Sequence, residues 1–304
     1  MTLAAILLLI SGAITVEPTP VIVSTDVGCE MDDQWAITHM MLSPAFDVRA
    51  IVTSHTPYFE KPAAESSAKV ARTLIDQIKP PKRPVVVPGA SEPLVDRMTP
   101  RKNAGVETIL KESSNFHRDK RLTIVHIGPA TDIASALLID PTIADRITVV
   151  AMAFEGWPAG GDPFNVKNDD AAWQILLDSK VPLTVVDCAV SLKHLLMSLA
   201  QAKQRFAELG PRAEALLGYQ TAWLDGNPSL VKLKTGDPNA WPLWDCGTVA
   251  VLLGLAKTET HPRPTLRDDR SFDHTNSVGT IEWVKSIDGD SLWADLVNRI
   301  KTAP

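Results

Sequence analysis

Short runs of β-branched and other apolar residues recur along the chain, separated by stretches with helical spacing. The runs at 21–25, 48–53, 84–87, 122–127, 147–152 and 183–186 are nearly continuously apolar, as strands buried on both faces should be. Between them, segments 32–42, 63–78, 131–138 and 169–177 place apolar residues at helical intervals, and several follow an Asp, Asn or Thr able to cap them. This alternation predicts an α/β fold, with a mostly parallel central sheet, helices on both faces and right-handed crossovers. Further helices are predicted at 212–223, 245–255 and 291–300, the last of them amphipathic. Two segments rich in Gly, Pro, Asn and Asp interrupt the pattern, 155–167 with Trp157 and 225–242 with Trp241 near its end. Both are expected to be long loops, where α/β proteins carry their sites.

Composition adds bounds to this picture. Hydrophobic residues make up 45% of the 304 and charged residues 22%, enough to build one continuous core, and a single domain over 19–304 is expected. The apolar run 1–14, too short to span a bilayer and with the small residues Ser11, Gly12 and Ala13 near its end, reads as a secretory leader covering 1–18, although no Lys or Arg precedes it. Export to a periplasmic or extracellular space is therefore expected, with no membrane association once the leader is removed; the alternative is a cytoplasmic protein with a buried N-terminus. A net charge of −6 without a dense Lys/Arg run argues against a nucleic-acid partner. Cys29, Cys188 and Cys246 are too scattered for a disulfide framework or a local zinc site and read as small buried apolar residues.

The strongest chemical signal is the stretch from Val21 to Asp33, in which an apolar strand runs into an acidic turn containing Gly28 and then opens a helix. Asp26, Asp32 and Asp33 should converge at the carboxyl edge of the sheet, and such crowding is costly unless something positive sits among them. Hard oxygen ligands at this density suit Ca²⁺ or Mg²⁺ rather than zinc. Helix capping alone would explain Asp32 and Asp33, but it does not require Asp26 at the strand end. A phosphatase of the haloacid dehalogenase type needs Asp-x-Asp, and Gly28 stands at the second position. A dinucleotide fold needs Gly-x-Gly-x-x-Gly after the first strand, which is absent.

These residues resemble the fingerprint of the nucleoside hydrolase family, the inosine-uridine preferring N-ribohydrolases, in which a strand is followed by Asp, a Gly two residues on, and Asp-Asp. Here Asp26, Gly28 and Asp32-Asp33 match, with two extra residues in the turn. Further matches follow in order: 125–134 with Ile127-Gly128, then Phe164-Asn165, then Trp244-Asp245, and finally 279–283 leading into the terminal helix. The resemblance covers nearly the whole chain after the leader and implies a Rossmann-like nucleoside hydrolase fold.

The resemblance further implies Ca²⁺ as cofactor, held by Asp26, Asp33, Asp245 and the backbone carbonyl of Ile127, with a ribonucleoside as the small-molecule partner. Asp26 would act as general base toward water, and Asp32 and Asn165 would grip the ribose hydroxyls. Asp162 or Glu155 is a candidate for the 5′ end of the sugar. Trp157, Trp241 and Trp244 offer faces for the base, and His55, after the second strand, could contact the sugar or donate a proton. Taken alone, an isolated Trp is more often core, a loop His is more often structural, and Asn165 could be a turn former. Trp244 stands where the family has a His that serves some members as leaving-group acid, so that route to the base is closed. The alternative is a weak or inactive pocket that binds ribose or a related sugar through the same metal. Assembly into a homo-oligomer is left open by the sequence.

Overall fold

The six apolar runs become six parallel strands in the computed structural model, which describes residues 17–304 apart from 162, 276 and 278. The strands are β1 (Thr19–Thr25), β2 (Phe46–Thr53), β3 (Val85–Pro88), β4 (Leu122–Ile127), β5 (Ile147–Met152) and β6 (Leu183–Val186). A short antiparallel ladder follows, β7 (Leu196–Ser198) with β8 (Ala240–Pro242). The last strands are β9 (Ala256–Pro262), the two-residue pair β10 (Thr265–Leu266) and β11 (Phe272–Asp273), and β12 (Thr280–Ile287). The main sheet has eight strands in the order β3-β2-β1-β4-β5-β6-β12-β9, with β12 parallel to β6 and only β9 antiparallel. Nearly all of the expected leader, residues 1–16, lies outside the described residues. Among those described, no helix is long and apolar enough to cross a membrane.

Alternation along β1 shows how the sheet divides its core. Val21 and Val23 pack into one apolar cluster and Ile22 into the other, because successive side chains of a strand point to opposite faces. Helices α1 (Asp32–Leu42) and α2 (Ala63–Ile78) cover the first face, while α3 (Ala104–Ser113) and α4 (Thr131–Ile139) cover the second. The single turn α5 (Phe164–Lys167) leads into α6 (Asp170–Asp178), which joins the second face. Helices α7 (Cys188–His194), α8 (Leu199–Phe206), α9 (Pro211–Gly226) and α10 (Pro228–Thr235) follow, and then α11 (Cys246–Leu252) and α12 (Gly289–Thr302) return to the first face. Trp35 anchors α1, fully buried with its ring 5.0 Å from Phe206 and 6.5 Å from Trp293. Truncating such a side chain costs about 3–5 kcal/mol.

The expected loop at 225–242 is not one: it holds α10 and β8. Pro228 begins α10 and Gly236, at φ 77°, ends it in the left-handed region, but only Val231 of its eight residues is buried. So narrow an apolar stripe leaves little periodicity in the sequence.

The order of strands places the site. From β1 the chain winds outward to β2 and β3, then returns to set β4 on the other side of β1. The crevice beyond the carboxyl ends of β1 and β4 is thus the topological switch point, where open α/β sheets bind ligands. Thr25 and Ile127 pair as the last residues of their strands, which brings the chain exits together. Gly128 makes this approach possible, since a Cβ there would lie 2.8 Å from the Asp26 amide nitrogen and 3.0 Å from Ser54 Oγ.

Candidate active site

The turn after β1 carries its acids inward. Cys29 N donates to the Asp26 carbonyl at 3.1 Å, and Gly28, at φ +100°, adopts a conformation that L side chains rarely reach. A side chain there would also strike Phe59 at 2.8 Å. The turn then enters α1 with Met31 as N-cap and no side-chain capping bond, so Asp32 and Asp33 are not there as caps. Instead Asp33 Oδ1 accepts from Thr25 Oγ1, and Asp32 Oδ2 accepts from the Asp245 amide at 3.3 Å, tying the start of α1 to the start of α11.

Asp32, Asp33 and Asp245 each offer a carboxylate oxygen, and these lie within 4.8 Å of one another. All three are buried, as is Asp26, which lines the same cavity of about 520 Å³ together with Ile127. Asp26 Oδ2 is buried with no hydrogen-bond partner. Burial, reinforced by neighbouring carboxylates, pushes Asp26, Asp33 and Asp245 well above the usual carboxylate range. Burial and then Asp33 lift Asp32 to about 7, and burial and then Asp32 lift Glu30 to about 8. A set of acids this close, this dry and this short of donors is stable only with protons or a cation among them. An all-oxygen donor set with an orphaned carboxylate oxygen suits a hard divalent ion.

Around this floor the cavity is lined by several of the residues singled out from the sequence. Asn165 is held by its Nδ2 donating to the Met152 carbonyl at 3.2 Å, with Trp173 Nε1 donating to its own carbonyl at 3.1 Å. Trp241, Trp244 and Glu155 also line the cavity. Asp162 lies outside the described residues.

Two expected contacts are placed elsewhere. His55 is buried at the end of β2 and bonds through Nε2 to Thr131 Oγ1 at 2.9 Å, outside the cavity lining, and burial lowers its pKa to about 4. Trp157 stacks on His261 with centroids 4.3 Å apart and packs against Phe272 and Trp283, so its faces are spent in the structure. Conversely, Glu30, Tyr58 and Lys167 line the cavity without having been singled out. The signal for Glu30 was present in the two extra residues of the turn, whereas Tyr58 and Lys167 sit in stretches with no motif.

A family model described as inosine-uridine preferring nucleoside hydrolase matches residues 21–294. This chain belongs to that family. A curated relative of the nucleoside hydrolase family, the inosine-uridine preferring enzyme of Leishmania major, is 29% identical over 105 residues, which span 33% of this chain and 33% of that relative. The whole fold is shared with solved structures. A purine-preferring ribonucleoside hydrolase from Gardnerella vaginalis superposes with a TM-score of 0.75 at 18% identity, over 93% of this chain and 98% of that one. A plant nucleoside hydrolase gives 0.72 at 18% identity, over 94% and 99%. The parallel sheet expected from the apolar runs is therefore the nucleoside hydrolase fold.

Proposed function

We propose that this chain is a Ca²⁺-dependent N-ribohydrolase that cleaves ribonucleosides to ribose and free base. One observation carries the reading: Asp32, Asp33 and Asp245 converge at the switch point of a nucleoside hydrolase sheet, short of donors, with Asp26 lining the same cavity and its Oδ2 unpartnered. The carboxylates of Asp26, Asp33 and Asp245, with the Ile127 carbonyl, would hold the cation, with the Asp32 carboxylate beside them. When bound, Ca²⁺ supplies positive charge that offsets the carboxylates, acidifies a neighbouring water and favours vicinal hydroxyls as ligands.

The residues of the chain supply the rest. Asp26 Oδ2 accepts the proton of the attacking water, since it is the one oxygen of the cluster's carboxylates that is buried without a partner. As the ribosidic C–N bond breaks, its electron pair leaves with the base and positive charge develops on the sugar, beside Asp32, Asp33 and Asp245. Asp32 and Asn165 orient the hydroxyls, with Asn165 fixed by its bond to Met152. Trp244 and Trp241 offer the base an aromatic surface.

The test is a panel of ribonucleosides incubated with the protein in Ca²⁺ and scored for free base and reducing sugar. Release of both, halted by a chelator, is expected. A second reading, a metal-dependent sugar-binding pocket with little turnover, is favoured by Trp244 in the family's His position and by the lack of any His in the cavity lining among the described residues. Ribose binding without release of any base would establish that reading instead.

A further inference from the structure

The cavity has an acidic floor and an indole wall. Trp241, only 3% exposed, meets Trp244 edge to face with centroids 5.9 Å apart, and Trp223 packs behind it at 5.6 Å. A nucleoside divides the same way, into a hydroxyl-rich sugar and a flat heterocycle, so the sugar belongs on the floor and the base against the indoles. Tyr58 and Phe164 are a poorer platform. They stack on each other at 5.4 Å, and Tyr58 is 69% exposed.

Glu30 stands where floor and wall meet. The Trp241 indole N–H donates to Glu30 Oε2 at 2.9 Å, which fixes the carboxyl group within the cavity. The Trp244 side chain also bonds this carboxyl group, and since a carboxyl group has about four hydrogen-bonding sites, the two indoles leave about half of its capacity unused. No ion pair to Glu30 is present among the described residues. A polar group with spare capacity in a half-buried place is a cost to the fold unless a ligand satisfies it.

Resting on the hydrolase reading, we propose that Glu30 recognises the departing base, hydrogen-bonding to the edge of a nitrogen heterocycle whose face lies on Trp241 and Trp244. Either protonation state of a carboxyl group serves this purpose: the acid donates to a ring nitrogen, and the carboxylate accepts from a ring N–H. The site then favours purine or pyrimidine leaving groups over aromatic leaving groups without ring nitrogens. It does so by leaving Glu30 unsatisfied when the wrong group is bound.

The test compares kcat/KM on inosine and on nitrophenyl riboside, whose aglycone has no ring nitrogen, for the native holoenzyme in Ca²⁺ and for Glu30→Ala and Glu30→Gln. The inosine to nitrophenyl riboside ratio should fall about 10- to 100-fold in Glu30→Ala, the weight of a hydrogen bond to a charged group. Glu30→Gln should fall in the same direction by less. An equal fall on both substrates, or an unchanged ratio, overturns the assignment. Trp241→Phe removes one of the two indole bonds that position the carboxyl group and should lower the same ratio by less than Glu30→Ala. If Glu30→Ala fails to fold, an unchanged ratio in Glu30→Gln overturns the proposal. A native protein inactive on both substrates removes the hydrolase reading itself, an outcome distinct from an active enzyme with an unchanged ratio.

Discussion

Two buried acidic regions of this molecule look alike in burial and differ in every other respect. In one, Asp132 accepts from the Ala90 amide at 3.0 Å and from Asn103 Nδ2 at 2.8 Å. Beside it, Asp169 accepts from Leu94 N at 2.9 Å, Thr131 Oγ1 at 2.6 Å and Ala172 N at 3.0 Å, capping α6. These acids meet the folded chain's own donors and hold loops against helices. In the other region, Asp26, Asp32, Asp33 and Asp245 face one another with few donors and one orphaned oxygen. Burial is the largest cause raising the pKa in both, to about 6 for Asp132, where bonds from Asn103 and Ala90 oppose it. What separates a structural acid from a functional one is whether the fold supplies its partners.

Mutation should split the two regions cleanly. Asp26→Asn removes a charge and the proposed proton acceptor while keeping the shape, so kcat should fall about 10²- to 10⁴-fold. The same change relieves repulsion and should leave the chelated protein at least as stable as the native one. Steady-state kinetics beside a denaturant melt measures both, and wild-type turnover in Asp26→Asn contradicts the assignment. Asp169→Ala should do the reverse, costing about 3 kcal/mol through a lost cap and unsatisfied donors while the folded fraction keeps its activity.

The crowded region should also respond to pH in the sense opposite to an ordinary ion-paired acid. In the folded chain Asp32 is lifted to about 7 and Glu30 to about 8, above the unfolded carboxylate range near 4. Between those limits the folded protein binds more protons than the unfolded one, so stability falls as pH rises from about 4 through 8. Ca²⁺ competes with those protons, and its stabilisation should be larger at pH 8 than at pH 5. Thermal melts at both pH values, with chelator or with Ca²⁺, check the sign; greater stability at pH 8 in chelator contradicts the crowding account. The smallest effect is expected at His55, which joins the satisfied network through Thr131. His55→Ala should change kcat by less than about threefold, equivalent to under 1 kcal/mol of barrier.

The sequence made the parallel half of the sheet legible because buried strands must be nearly all apolar, as β1 and β4 are. It hid β9, an edge strand of mostly exposed Lys, Thr and Glu, whose only claim to strand structure is its pairing with β12. The candidate site was legible where the proposed chemistry rests on types that cost energy when buried, Asp26, Asp32, Asp33 and Asp245. Aromatic contacts were not, since an indole suits a core and a binding wall equally. Trp157 went to the core cluster with Phe272 and Trp283, and Trp244 to the cavity, a difference set by tertiary packing. Glu30 was passed over because the motif directs attention to the Asp residues flanking it.

On the proposed reading, the crowded carboxylates at the switch point, one of them with an orphaned oxygen, form one divalent cation site. Calorimetric titration of Ca²⁺ into chelated protein tests it most directly, with Asp33→Asn titrated alongside. One ion per chain is expected, with binding lost or strongly weakened in Asp33→Asn. No binding to the native protein above the buffer background, or equal binding by the variant, would contradict it.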